Sequence, residues 1–509
     1  MKKDYGKALE HLDTLIVKFP WFKHGVTEKA LVLLKMGHWD ECLDGVERAL
    51  SENARDIEAL RILILLLLTR DGQPRAAAQR IRELLDALKK TEPSNPMLYY
   101  EIARCNARLS DRHEEVLQCN LALIEQAVAL DPESGAFRAE RGYQRALLED
   151  YGEAIESYKE ALKLDESNET ALHGLIYCQI KLGQLEDAAQ QMEFLTVIQE
   201  SIGASPGFVF LQAVLSWHKD RDRAKQVKLL QQAVQLHMDR LKNSIQQAEV
   251  SSHELLSELN PLFLVEVATE FLRHDGGSSS STGVTTGDGA TNSVAAKGIS
   301  ILEKLVHKSP GLLRAQFELA QAYFVATRLD DAYHVCNTIL KMDATHAPSH
   351  LLSARICLER EHVRAASSCL DQALSHDFSI RQSLAYFVIK AKLLENAGDV
   401  RDAHQTLQAA MKLVQTGATT AASSGSSVGA KNRRGVGGAA PTGSSNSSSA
   451  SLSGAGSEIA QFDKASAYIQ LAEVLSQLND VPEATKTVRE ALQVFRYRSC
   501  CDGSLSLWT

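Results

Sequence analysis

The sequence lacks the usual marks of several protein classes. There is no basic excess: 55 Lys and Arg stand against 64 Asp and Glu, for a net charge of −9. A nucleic-acid footprint needs clustered positive charge, so that partner class is not expected. No apolar run approaches the roughly 18 residues of a membrane span, and no membrane insertion is expected. The longest, Ile62 to Leu68 (ILILLLL), sits between Arg61 and Arg70 and reads as one buried helix. The opening MKKDYGKALEHLD is charged and has no apolar stretch of the kind a secretory leader uses. Nine cysteines, at 42, 105, 119, 178, 336, 357, 369, 500 and 501, follow no regular framework. They are expected to be reduced and mostly buried, in an intracellular protein.

Signatures of chemistry are missing as well. The sequence contains no phosphate-cradling G-x-x-x-x-G-K-[ST] and no H-E-x-x-H. One G-x-S-x-G, Gly425 to Gly429, lies in a Ser/Gly-rich stretch without the strand and helix that a nucleophile elbow requires. His38, Asp40 and Cys42 lie close together, but on a helix Asp40 points away from the face the other two share. Two ligands are too few for zinc, and the adjacent Cys500 and Cys501 lack its usual ligand spacing. Cys336, Cys357 and Cys369 fall at helix-packing positions where a small apolar side chain suffices. The acids Glu153, Glu156, Asp330 and Asp331 read as helix starts favoured by the dipole. No catalytic residue, metal ligand or cofactor site is expected, and the chain is not expected to be an enzyme.

What the sequence does have is a repeat. Gly135 to Asn168 (GAFRAERGYQRALLEDYGEAIESYKEALKLDESN) carries Gly142 in its first half and Ala154, Tyr158 and Ala161 in its second. Two helices, small residues where they cross and an aromatic four residues after an alanine make up a tetratricopeptide repeat of about 34 residues. Stepping onward by that period meets Ala188 after the turn glycine Gly183. Stepping elsewhere meets Ala8, Cys42 and Ala77, then Ala332 and Ala366, with Ala403 and Ala484 in later units. The expected fold is all-α: a tetratricopeptide-repeat solenoid, a right-handed superhelix of helix pairs. In Ser205 to Leu241 the phase slips and the second helix runs long. The segment HELLSELNPLFLVEVATEFL supplies a first helix whose partner follows only after an insertion.

Two Ser/Gly-rich stretches have almost no large apolar side chains and are expected to be disordered inserts, because they bury too little surface to offset ordering. The expected organisation is a repeat array over 1–275, an insert over 276–296, more array over 297–415, a second insert over 416–457, a last repeat over 458–496 and a non-repeat tail over 497–509. The basic cluster Lys431 to Arg434 falls in the second insert and reads as linker charge. Neither end carries a polar capping helix, so the chain is expected to be a piece of a longer array.

A helical solenoid exposes a groove lined by its first helices, and binding is its default use. Repeat proteins that clamp a C-terminal carboxylate place Lys and Asn at the fifth and ninth positions of the repeat. Here those positions hold Thr27 and Leu31, Ala139 and Tyr143, His173 and Tyr177, Phe317 and Gln321, Leu351 and Arg355. The expected groove is apolar and aromatic, suited to an extended segment or a helix rather than a single carboxylate.

Several runs carry a closer resemblance. LDPESGAFRAERGYQRALLEDYGEAIESYKEALKLDES, GLIYCQIKLGQLEDAAQQMEFLTVIQESIG, SELNPLFLVEVATEFL, HKSPGLLRAQFELAQAYF and HLLSARICLEREHVRAASSCLDQALSHDFSIR occur in order. Together they resemble the tetratricopeptide repeat protein 21 family, the large repeat subunit of intraflagellar transport complex A. The inserts and the terminal RYRSCCDGSLSLWT depart from it. The resemblance implies a non-enzymatic scaffold for retrograde transport and protein delivery in cilia, located in the cytoplasm and at the axoneme and basal body. Its implied partners are WD-repeat and repeat subunits of the complex and adaptors of ciliary membrane cargo. Two alternatives remain open: a free-standing peptide receptor or co-chaperone, and the regulatory arm of an enzyme whose catalytic part lies elsewhere.

Overall fold

The computed structural model describes residues 5–246, 258–273, 294–423, 454–478 and 480–499. Among the described residues the regular structure is helical, and antiparallel helix pairs follow one another along the chain. By contact, it divides into two compact units, residues 1–272 with 283–316 and residues 273–282 with 317–509.

The first unit opens with α1 (Tyr5–Lys18) against α2 (His24–Met36), which pairs with α3 (Trp39–Glu52). The next pairs are α4 (Ile57–Thr69) with α5 (Pro74–Thr91), α6 (Pro96–Leu109) with α7 (Glu114–Leu130), and α8 (Gly135–Leu147) with α9 (Tyr151–Leu164). Then come α10 (Glu169–Lys181) with α11 (Leu185–Ile202), α12 (Pro206–Asp220) with α13 (Arg223–Gln246), and α14 (Pro261–Leu272) with α15 (Val294–Lys308). Helix α16 (Leu313–Val325) begins in this unit. The second unit continues with α17 (Leu329–Met342), α18 (Ala347–Glu359) with α19 (Val363–His376), a 3-10 turn at Phe378–Gln382, and α20 (Leu384–Ala397) with α21 (Val400–Ser423). It ends with α22 (Gly454–Gln477) against α23 (Val481–Ser499).

The two helices of a pair begin differently. Many first helices start at a side-chain cap: Asp56, Asn95, Ser134, Asn168, Ser205 and Ser383 each accept a hydrogen bond from the backbone N–H three residues on. Second helices are entered through a residue with left-handed backbone, at 37, 72, 112, 149, 183, 221, 327, 361 and 398. At several of these turns the preceding helix closes with the six-to-one bond of a Schellman turn, as in His38 N to Leu33 O (3.0 Å) and His362 N to Cys357 O (2.8 Å). Only four of the nine are glycine.

The repeat positions read from the sequence lie at the helix contacts. Ala154, Ala161, Ala188, Ala332, Ala366 and Ala403 are 0% exposed, Ala484 is half-buried, and Gly183 holds the α10–α11 turn with φ 76°. Tyr158 is buried between two glycines: a Cβ on Gly142 of α8 would lie 2.8 Å from its ring, and one on Gly174 of α10 only 2.0 Å from it. Gly174 does not fall on the 34-residue spacing from Gly142, so the repeat pattern alone does not point to it.

The described helices reach into both stretches expected to be inserts. α15 starts at Val294, α21 runs to Ser423 and α22 starts at Gly454. Val294, Ala295 and Ala296 are apolar and continue naturally into the helix. The rest of both stretches, the Lys431 to Arg434 cluster and the tail from 500 lie outside the described residues. No described helix is long and apolar enough to cross a membrane.

A candidate docking groove and its occupant

In the first unit, the first helices α6, α8 and α10 carry side chains more polar than the sequence suggested. Arg108 of α6 and Glu140 of α8 form a buried bidentate pair (2.8 and 2.9 Å), and the guanidinium lies 4.6 Å over the Tyr143 ring. Gln144 donates to Glu140 (3.2 Å) and to the Ala103 carbonyl (3.4 Å), which also accepts from Asn120 (2.7 Å). Burial alone would lower the Arg108 pKa, and the Glu140 and Tyr143 charges together with the Glu140 hydrogen bond more than reverse that. Burial pushes the Tyr143 hydroxyl up to about 12. His173 of α10 is pushed down to about 4 by burial, against the Glu169 carboxylate 3.7 Å away.

The groove is also occupied by the chain itself. Helix α14 reads PLFLVEVATEFL, and almost every residue of it is buried, as expected for a helix that packs on more than one side. One side, Val267 and Phe271, joins the core of α10 to α13. Another lies against α6, α8 and α10. Leu262 packs with Ala107, Leu117 and Leu147, beside Tyr143. Glu266 pairs with Arg112 at the α6–α7 turn and accepts from the Tyr177 hydroxyl (3.0 Å), which also accepts from Arg112 (3.1 Å). Burial pushes the Glu266 carboxyl up, but Arg112, Lys181, Arg314 and the Tyr177 hydrogen bond outweigh it and hold its pKa below the ordinary glutamate value. Arg104 of α6 lies 3.9 Å from Glu258, just ahead of α14.

Two further contacts close the unit. The Gly311 N–H donates to the Thr69 carbonyl at the end of α4 (2.8 Å), where a Cβ on Gly311 would lie 2.7 Å from the Arg70 backbone. The Arg314 N–H donates to the Asp111 carboxylate (2.6 Å). The expected open apolar groove is therefore corrected for this unit: its floor is a polar network and its space holds α14. The pattern of α14, apolar on all sides with two acids, Glu266 and Glu270, was the available signal.

The other singled-out residues disperse. In HWDEC, His38 bonds Glu41 (3.3 Å), Asp40 pairs with Arg70, and Cys42 is 0% exposed with burial pushing its thiol up to about 11. Burial likewise raises Cys178 and Cys336 to about 12 and Cys369 to about 11. Among the described residues no group of His, Cys, Asp and Glu is arranged to hold a metal ion. Of the clamp positions, Thr27 and Ala139 are buried, Phe317 meets the His346 ring edge-on (5.4 Å) and Arg355 lies 5.2 Å over Phe324.

Known proteins share this arrangement of sequence. Residues 79–361 match the family model described as the second ARM domain of tetratricopeptide repeat protein 21, and residues 378–500 match the model of its ARM repeat. Human tetratricopeptide repeat protein 21B is 33% identical over 416 residues, which cover 81% of this chain and 31% of that protein. The chain belongs to the tetratricopeptide repeat protein 21 family. A second member, mouse tetratricopeptide repeat protein 21A, is 30% identical over 494 residues, 97% of this chain and 35% of that one. The chain thus spans about a third of the length of these curated relatives. Solved structures similar to it include a tetratricopeptide repeat protein from Parabacteroides merdae (15% identical, TM-score 0.37, 46% of this chain and 88% of that one). Another is the APC/C hetero-tetramer Cut9–Hcn1 (12% identical, TM-score 0.35, 77% and 87%). Family and fold together make the chain a helical-repeat scaffold.

Proposed function

We propose that this chain serves as a non-enzymatic scaffold within a subunit of intraflagellar transport complex A, supporting retrograde transport and protein delivery in cilia. Membership of the tetratricopeptide repeat protein 21 family, matched through most of the chain, carries the reading. Its partners are the WD-repeat and repeat subunits of the same complex and adaptors of ciliary membrane cargo; nucleic acid is not among them. Its place is the cytoplasm and the cilium, at the axoneme and basal body. The polar groove supports the reading, because paired carboxylates and guanidiniums that are already hydrogen-bonded to each other offer nothing to a substrate.

The test is affinity purification of the tagged full-length protein from ciliated cells, with quantitative mass spectrometry. Enrichment of the other subunits of the transport complex is the expected result. Recovery of chaperones without them would favour the co-chaperone alternative and overturn this one.

A further inference from the structure

Two consecutive residues that are not glycine, Asp111 and Arg112, hold left-handed backbone (φ 51° and 59°) at the α6–α7 turn. The equivalent turns at Glu149 and Glu361 have one such residue each. L side chains disfavour this conformation and keep it only where surrounding contacts impose it, a pattern common at clamps and switches. Here those contacts come from far along the chain. Arg112 reaches Glu266, 154 positions on, and Asp111 takes the backbone N–H of Arg314, 203 positions on. The strained turn and the closure of the unit are one feature.

We propose that the Asp111–Arg112 turn is a clasp that holds the first unit shut around its own helix α14. The site it guards, on α6, α8 and α10, is a receptor for an apolar helix bearing a carboxylate one turn after a leucine. Leu262 and Glu266 supply that pattern in cis: the leucine fills the space between Ala107 and Leu147, and the carboxylate meets Arg112 and Tyr177. A carboxylate is favoured because the Arg112 guanidinium is itself buried, and its other acid, Glu149, stands 3.9 Å away, too far for a close hydrogen-bonded pair. While α14 is seated, the groove is closed to partners, and subunits that engage this unit do so on its outer helices.

The experiment uses the full chain and a fluorescein-labelled synthetic peptide of residues 258–273, read by fluorescence anisotropy. Glu266→Arg in the chain sets two cations against each other and unseats α14 while leaving Arg112 and Tyr177 in place. The peptide is expected to bind this variant at least tenfold more tightly than the unaltered chain, and a peptide carrying Glu266→Gln is expected to lose at least tenfold. Equal binding to both chains, no binding to the variant, or indifference to the peptide's glutamate would overturn the proposal. Because Glu266→Arg is severe, hydrogen exchange on a chain with Glu266→Gln gives an independent reading. Faster exchange confined to α14 and the α6–α7 turn is expected; an unchanged pattern, or a uniform rise from α2 to α15, refutes the clasp.

Discussion

The two units are built from the same helix pair yet are held together differently. In the second unit, the helix packing among the described residues runs between neighbours in the chain or next neighbours, as from α18 to α19 and from α20 to α22. In the first unit, helices more than 100 positions apart also meet, α6 with α14 and the end of α4 with Gly311. A solenoid held only by neighbours is a sum of local terms and can loosen from any point. A solenoid closed on itself must break its long-range contacts before any one repeat can leave. The first unit is therefore expected to unfold as a block and the second to fray.

The largest test of this contrast enlarges a buried small residue in each unit. Gly174→Val drives a side chain into the Tyr158 ring, and Ala366→Trp separates α18 from α19. Each should cost several kcal/mol, as overpacking at a tight crossing does. Hydrogen exchange should show the first variant destabilising all of α4 to α15, and the second only the helices next to α19. Exchange confined to α8–α10 in the first variant would remove the distinction.

Ion pairs separate the units next. Arg108→Ala leaves Glu140, 2% exposed, without its counter-ion and should cost about 3–5 kcal/mol in a denaturation midpoint. Its counterpart in the second unit, Arg360→Ala, removes a partner from Asp330, which is 99% exposed, and should leave the midpoint unchanged. A loss confined to the second variant would mean that burial of the acid does not set the cost of losing its cation.

Acid sharpens the comparison on a smaller scale. The folded pKa of His173 lies near 4, below its unfolded value of 6.5, so between those limits the unfolded chain binds a proton that the folded chain does not. Stability contributed by the neutral ring is complete above pH 6.5 and drains away as pH falls to 4, by on the order of 3 kcal/mol. Glu266 acts in the same direction at lower pH: its folded pKa is depressed, so its contribution is full above about 4.5 and is lost as pH falls further. His173→Gln should flatten the first unit's stability profile between pH 6.5 and 4 in thermal melts, and an unaltered slope would contradict the assignment.

How much of this was legible beforehand follows from which forces are periodic. The alanines at 154, 188, 332, 366 and 403 recur because every pair must let two helices cross, and a period is visible in sequence. The closure has no period. Arg112, Glu266 and Arg314 lie in different repeats and look like ordinary surface charges until the superhelix brings them together. The polarity of the groove was missed for the same reason: Gln144 and Asn120 converge on the Ala103 carbonyl from different helices. Spacing in sequence reports contacts along one helix and between neighbours, while contacts one superhelical turn apart depend on accumulated curvature.

The smallest effect concerns the turns, where the two units should differ least. Glu149 in the first unit and Glu361 in the second each hold left-handed backbone, with φ 65° and 61°, and each is followed by a six-to-one helix-closing bond. The conformation costs an L residue roughly 1–2 kcal/mol, whereas glycine adopts it freely but gives up about 0.5–1 kcal/mol of chain entropy on folding. Glu361→Gly should therefore stabilise by about 1 kcal/mol or less in urea midpoints, and Glu149→Gly by less, because it also removes a carboxylate 3.9 Å from Arg112. Arg112→Gly relieves the same strain but also removes the partner of Glu266, and should destabilise instead. If all three glycines stabilise alike, the strain at Arg112 is only that of a helix-ending turn, and the contacts from α14 do not impose it.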